Sequence, residues 1–460
     1  MVTPLLKKPG LDPENLKNYR PVSNLPFFSK ILGKIVLAQI SDHITTQNLS
    51  YPNQSAYRTG HSTETALAKI TNDILTALDQ NHVSLLSLLD LSAAFDTIDH
   101  SILLSRLEHT FGISDTVLSW FKSYLSDRFQ TVSVSGSSSS PALLHYGVPQ
   151  GSVLGPTLFV LYIQPLSEIV LHHSMSHHSF SDDNQLYTSD SLLQLPSMIS
   201  LTQACISDVQ SWMTNNKLQL NAEKTEMILM STGTSAKRFS FPQSVTLLGS
   251  DIPLSSAVRN LGVTLDNTLS FEQHVNNICR ICYYEIRRIA SIRHILSDDA
   301  TKILLCAFVL SRLDYCNSLL AGSPLSLLHK LQKVQNNAVR LIFKSSRSAH
   351  VTPLLRSLHW LPIHKRIHYK IALLCFKSFN NLAPSYISDL LHVYTPSRQL
   401  RSASDTRIFR IPSCRTKTHG QRSFSYQAPI LWNQLPYSVR HSLTLTSFKS
   451  SLKTHLFSQQ

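Results

Sequence analysis

His178-Ser179-Phe180-Ser181-Asp182-Asp183-Asn184-Gln185-Leu186-Tyr187 sets two adjacent aspartates between an aromatic residue and a polar–apolar alternation. A third aspartate closes a distant apolar run, in Leu88-Leu89-Asp90-Leu91-Ser92-Ala93-Ala94-Phe95-Asp96. An ionised carboxylate on a buried strand loses its hydration and demands compensation. A hard divalent cation is the usual one, and Mg²⁺ takes a few carboxylates together with phosphate oxygens. Three carboxylates at one point would make a two-metal phosphoryl-transfer site, with the ions about 3.5–4 Å apart. Such a site suits a nucleic-acid polymerase. Taken alone, Asp182-Asp183 also fits an ordinary hairpin turn, which aspartate favours.

The surrounding pattern is mixed. Residues 83–91 form a nearly continuous apolar run, as in a buried strand. Apolar positions recur at helical spacing over 28–46 (Ile31, Leu32, Ile35, Val36, Ala38, Ile40) and 63–81 (Ala66, Leu67, Ile70, Ile74, Leu75, Leu78). Helices are also expected around 101–107, 115–125 and 201–216, and strands over 130–134, 226–230 and within 245–269. The stretch 147–163 is a glycine- and proline-rich loop leading into an apolar helix. Beyond residue 271 long helices are expected over 272–296, 299–320 and 324–344; then Pro353, Pro362, Pro384, Pro396 and Pro412 divide shorter elements. The reading is an α+β chain: an antiparallel sheet with helices, a helical bundle, and a small mixed C-terminal region.

With 460 residues, 42% of them apolar, the chain can bury a large core in more than one subdomain. No stretch approaches the roughly 20 apolar residues of a membrane span; 303–320 comes nearest and is broken by Arg312 and Asp314. Residues 1–9 hold no secretory signal, and seven irregularly spaced cysteines imply a reducing, intracellular compartment rather than a disulfide framework. Charge is divided: residues 1–270 hold 16 Lys+Arg against 21 Asp+Glu, residues 271–460 hold 26 against 7. An acidic front and a basic back fit metal-gathering carboxylates followed by a phosphate-gripping surface. A solvated basic surface is the plain alternative.

The ordered segments resemble the reverse transcriptases of non-LTR (LINE-type) retrotransposons, over nearly the whole chain. Asn18-Tyr19-Arg20-Pro21-Val22-Ser23 and Asn53-Gln54-Ser55-Ala56-Tyr57-Arg58-Thr59-Gly60 resemble the two fingers motifs. Leu89 to Asp96 resembles motif A, Gly147-Val148-Pro149-Gln150-Gly151-Ser152-Val153-Leu154-Gly155-Pro156 motif B, and Phe180-Ser181-Asp182-Asp183 motif C. Leu220-Asn221-Ala222-Glu223-Lys224-Thr225-Glu226 resembles motif D, and Asn260-Leu261-Gly262-Val263 the primer grip.

The resemblance implies a right-hand polymerase with fingers (1–82), palm (83–270), helical thumb (271–346) and a post-polymerase region (347–460). It implies two Mg²⁺ ions, with Mn²⁺ as a substitute, on Asp90, Asp182 and Asp183; the contact of Asp183 is the least defined of the three. Phe95 would lie against the sugar of the nucleotide and exclude a 2′-hydroxyl. Leu91, Gln150 and Gly151 would line the nucleotide, and Arg20 and Arg58 would meet its triphosphate. Lys224 would protonate the pyrophosphate leaving group, and Leu261 and Gly262 would hold the primer. Arg280, Arg287, Arg288 and Arg293 would face the duplex backbone. Partners would be an RNA template, a DNA primer or target and dNTPs, with neither a membrane nor an organic cofactor; a nuclear location is inferred from the family alone.

Competing readings are a core phenylalanine for Phe95, surface arginines for Arg20 and Arg58, and a solvated charge for Lys224. His172-His173 and His177-His178 read as a plain loop rather than a metal cluster, and Cys279-x-x-Cys282 as core sulfur within a helix. Cys414 and His419 alone make no zinc knuckle. Ser181 and Asn184 stand where the family usually has alanine and threonine. The family's upstream endonuclease and first polymerase elements are missing, which suggests a truncated copy. A nucleic-acid-binding remnant and a metal-dependent nuclease are the alternatives.

Overall fold

The computed structural model describes residues 1–92, 95–221, 224–395 and 407–459. An antiparallel hairpin, β1 (Val2–Leu6) and β2 (Tyr19–Ser23), precedes helices α1 (Phe27–Thr46) and α2 (Thr63–Asp79). Ser62 caps α2 through a reciprocal pair with Thr65, which satisfies two amides at the helix start. The apolar run then forms β3 (Val83–Leu89), and the proline-glycine loop delivers α3 (Gly155–Ile163). A hairpin follows, β4 (Ser176–Phe180) and β5 (Asp183–Asp190), then α4 (Leu195–Asn215) and β6 (Glu226–Met230). A second hairpin, β7 (Ala257–Asn260) and β8 (Val263–Asp266), leads into α5 (Glu272–Ser291). The remaining principal helices are α6 (Leu325–Ile342), α7 (Ile363–Phe379), α8 (Phe424–Asn433) and α9 (Leu445–Ser458).

The main sheet has the order β6-β3-β5-β4 and is antiparallel throughout. Side chains on successive strand residues alternate between faces, and here both faces are covered. Leu86, Tyr187, Ile228 and Met230 join one core with Leu67, Ile70, Ile74 and Leu78 of α2. Leu85, Leu89, Leu186, Met227 and Leu229 join a second core with Leu158 and Phe159 of α3 and Ile206, Val209 and Met213 of α4. Each fully buried leucine or isoleucine contributes about 1.5–3 kcal/mol relative to an exposed one. This double burial explains why β3 reads as a continuous apolar run. The first core continues through α5, α6, α7, α8 and α9 without a break at residue 346; Val275, Val334, Ile371, Trp432 and Phe448 all belong to it.

Four expectations are corrected. His177 and His178 lie not in a loop but in β4, buried and paired with Leu186 and Gln185. The single helix expected over 299–320 is broken: Asp298–Leu305 runs into a π-turn at Cys306–Leu310, then Ser311–Asp314, and Cys316 takes a left-handed φ of +50°. On α1 the apolar stripe is mostly open, with Ile31, Leu32 and Ile35 exposed and Gly33, Ile40 and Ile44 buried. Arg293 is buried and donates to the carbonyls of Leu296, Leu341 and Ile342, tying α5 to the end of α6 rather than facing solvent. Arg280, Arg287 and Arg288 are exposed, while Cys282 is fully buried in α5, where burial pushes its thiol up to about 12.

Candidate active site

One end of the sheet carries the three aspartates. Asp90 follows the last residue of β3, and Leu89 faces Asn184 in the register. Continuing that register one step sets Asp90 across from Asp183. Phe180 pairs with Asp183, so Ser181 and Asp182 form a two-residue turn. Ser181 has φ +61° and is buried, while Asp182 has no positive φ, the pattern of a type II′ turn. That geometry fixes the direction in which Asp182 and Asp183 leave the sheet.

Electrostatics reveal the proximity. The Asp183 carboxyl is pushed up to about 6 by loss of hydration, then by the carboxylates of Asp182 and Asp90. Lys224 places its Nζ 3.2 Å from Asp90 Oδ2, and the Asp90 carbonyl accepts from the Asn221 amide at 3.0 Å. Among the described residues no three His, Cys, Asp or Glu side chains close around a metal position. Like charges with one lysine contact do not draw together. As a donor set, however, three accessible carboxylates at a strand end have the chemistry of a hard-cation site.

The nucleotide-side residues assemble around a close backbone approach. A β-carbon on Gly147, which has φ +84°, would stand 2.8 Å from the Asp96 carbonyl oxygen, so only glycine lets the 147–155 loop meet the chain after β3. Amides of Gly147 and Val148 donate to Ile98 and Phe95 carbonyls at 2.8 and 2.9 Å. Gln150 Nε2 donates to Asp96 Oδ2 at 3.0 Å, a contact that motif spacing did not suggest. Burial raises the Asp96 carboxyl above its usual range. Phe95 is half-buried, its ring 4.9 Å from that of Phe159. Leu91 is buried in the second core and pairs by backbone with Leu220.

Gln150 accepts through its carbonyl from the Ser23 amide at 2.8 Å, and Gly151 lies against the Ser23 carbonyl, so β2 joins this loop. Arg20 is exposed on β2, three residues before Ser23. Arg58 is placed differently: its Nη1 donates to the Tyr51 and Gln54 carbonyls at 2.9 and 3.0 Å, and burial lowers its pKa. It thus supports its own loop.

Leu261 and Gly262 form the turn of β7–β8, with φ of +43° and +83°, the signature of a type I′ hairpin. A β-carbon on Gly262 would press into the Tyr315 ring at 3.3 Å, and Tyr315 Oη donates to the Leu261 carbonyl at 2.6 Å. Gln185, two residues beyond Asp183, donates to Asn260 Oδ1 at 3.2 Å, with both side chains buried. The strand that carries the aspartates is therefore joined to this hairpin. Period-two spacing from Asp183 was the available signal for Gln185.

Residues 6–265 match the family model described as reverse transcriptase (RNA-dependent DNA polymerase). A probable RNA-directed DNA polymerase from transposon BS of Drosophila melanogaster is 27% identical over 79% of this chain and 40% of its own length. The RNA-directed DNA polymerase from mobile element jockey of the same organism is 31% identical over 60% of this chain and 30% of its own. The chain thus spans well under half the length of these curated relatives. Among solved structures, apo telomerase from Candida tropicalis superimposes with a TM-score of 0.40 at 12% identity, over 80% of this chain and 62% of that one. By its family match, this chain belongs to the reverse transcriptase (RNA-dependent DNA polymerase) family.

Proposed function

We propose that the chain is an RNA-directed DNA polymerase that extends a primer 3′ end with dNTPs on an RNA template. The observation that carries this reading is the location of Asp90, Asp182 and Asp183 at one sheet end, within the residues that match the family. In a right-hand arrangement, 1–82 would serve as fingers, 83–270 as palm, 271–346 as thumb and 347–460 as a C-terminal region. Asp90, Asp182 and Asp183 would hold two Mg²⁺ ions, or Mn²⁺ in substitution. Such ions, when bound, activate the primer 3′-hydroxyl and stabilise charge on the transferring phosphoryl group.

The chain's own residues supply the rest. Phe95, backed by Phe159, presents a ring in a fixed place where a ribose 2′-hydroxyl would clash. Gln150, steadied by Asp96, lines the nucleotide with Gly151 and the backbone of Leu91. Exposed Arg20 meets phosphate; Arg58 acts from behind, through its loop. Lys224, 3.2 Å from the Asp90 carboxylate, would give its proton to pyrophosphate. The Leu261–Gly262 turn holds the primer strand, and Arg280, Arg287 and Arg288 face the duplex backbone. Primer extension on RNA templates tests the proposal: extension with dNTPs supports it, and none across several templates with either Mg²⁺ or Mn²⁺ overturns it.

A further inference from the structure

The edge strand of the sheet, β4, leads directly into the turn that bears Asp182. Edge strands expose unpaired amides and carbonyls, yet here residues 51–55 cover that edge. Ser179 donates to the Asn53 carbonyl and Ser55 to the Ser179 carbonyl, both at 2.9 Å. Asn53 Nδ2 and Tyr51 Oη reach the His177 carbonyl at 3.1 and 3.2 Å, and the Tyr51 ring stacks on His177. This cover is fastened from the far end of the sequence. Tyr386, 3% exposed, sets its Oη 2.7 Å from Ser55 Oγ and 2.9 Å from Thr65 Oγ1, and its ring stands edge-on to His178 at 4.9 Å. Ser55 Oγ in turn lies 2.8 Å from His178 Nε2.

The Tyr386–Thr65 and Tyr386–Ser55 bonds admit either donor, and the direction of the Ser55–His178 bond follows the histidine tautomer. With the Thr65 hydroxyl donating to the Ser62 carbonyl, Thr65 Oγ1 accepts from Tyr386. The Tyr386 oxygen then accepts from Ser55, and Ser55 accepts from His178 Nε2–H. His178 Nδ1 is left bare, in agreement with its having no hydrogen-bond partner. The phenol, the serine and the histidine form one hydrogen-bonded relay ending four residues before Asp182.

Tyr386 itself belongs to a firmly anchored body. Asp79 at the end of α2 accepts from the amides of Arg415 and Thr416, and Asn72 accepts from the Ser425 amide. Glu64 binds Lys370 Nζ at 2.8 Å with one oxygen and the Ser318 amide at 3.1 Å with the other. Tyr386, Ile387, Leu391, Phe409, Trp432 and Phe448 also share one hydrophobic core with α2. We infer that the C-terminal region braces the catalytic hairpin, and that Tyr386 is the positioning residue through which it acts, by way of Ser55 and His178. This inference rests on the polymerase reading for its activity readout and on the structure alone for its second readout.

The test compares full chains carrying Tyr386→Phe, Ser55→Ala, both changes, or Phe448→Leu. Tyr386→Phe keeps the ring and removes only the hydroxyl. The expected result is a fall in kcat for dNTP addition of about tenfold, the worth of one buried hydrogen bond, with KM for dNTP and the melting temperature nearly unchanged. Ser55→Ala should fall as far, and the double variant no further, because both break the same relay. Phe448→Leu, in the C-terminal core away from the relay, should lower the melting temperature and spare kcat. Wild-type kcat in Tyr386→Phe, or additive losses in the double variant, overturns the inference. Hydrogen exchange at 177–184 reads the same brace without catalysis. Faster exchange in Tyr386→Phe is expected even if the polymerase reading fails, and unchanged exchange refutes the brace whatever the activity.

Discussion

Asp79 offers a stability prediction whose size follows from its contacts. Asp79 is 8% exposed, and its carboxylate accepts from Arg415 N at 2.8 Å, Thr416 N at 2.6 Å and Thr416 Oγ1 at 2.7 Å. Gly420 lies so near that a β-carbon there would overlap the carboxylate. Asp79→Asn keeps one acceptor oxygen and turns an amide NH₂ toward donors. At about 1.5–3 kcal/mol for each charge-assisted bond, with a donor left facing a donor, the change should destabilise the fold by about 2–4 kcal/mol. Burial pushes this carboxyl up, but the donors from Arg415, Thr416 and Gly420 outweigh it and hold the group below its usual range. A lowered folded-state pKa gives stability that is complete above the unfolded value, about 3.9, and is lost as pH falls through the folded value. The difference between the two chains should therefore be full at pH 7 and shrink below about pH 4. Urea unfolding followed by tryptophan emission reads it, since Trp360 and Trp432 lie in the same core. A difference under about 0.5 kcal/mol at pH 7, the scale of ordinary surface changes, would refute the reasoning. So would a difference unchanged at the lowest pH where both chains remain folded.

Further outcomes follow from the same contacts. Phe95→Val should raise rNTP incorporation relative to dNTP, measured by competitive single-nucleotide addition; an unchanged ratio leaves Phe95 as a core residue only. Arg293→Met should destabilise by about 2–4 kcal/mol, because three carbonyls lose their donor and the Asp298 carboxylate its ion pair. Nucleic-acid affinity should stay level in that variant, whereas replacing exposed Arg280, Arg287 and Arg288 with alanine should weaken binding and flatten its salt dependence. Gln185→Leu should raise KM for the primer–template, because Asn260 then loses the amide that ties the hairpin to β5; normal primer use in that variant contradicts the coupling.

Local signals were legible where one segment decided its own structure. The run at 83–91 had to be a strand because both its faces are buried, and 63–81 showed its helical stripe because α2 is packed along most of its surface. The aspartates were readable because a strand end and a two-residue turn are short-range features. What escaped notice depends on distant partners. Buried His177 and His178 read as a polar loop, since their partners Asn184, Ser55 and Tyr386 cannot be inferred from spacing. Arg58 and Arg293 looked like phosphate ligands, yet Arg58 ends on backbone carbonyls and Arg293 on backbone carbonyls and the Asp298 carboxylate. Asp79 drew no attention because its donors lie 336 and 337 residues downstream. The open face of α1 shows the reverse case, an apolar stripe that these described residues leave largely uncovered.

The central claim is that the sheet-end carboxylates perform nucleotide addition, and dNTP incorporation on primed poly(rA) tests it most directly. The full chain and its Asp182→Asn variant would be compared at equal concentration with Mg²⁺, with nucleic-acid binding measured alongside. The account predicts incorporation by the unaltered chain and its loss in the variant, with binding preserved in both. Equal incorporation by the two chains, or none by either while binding persists, would contradict it.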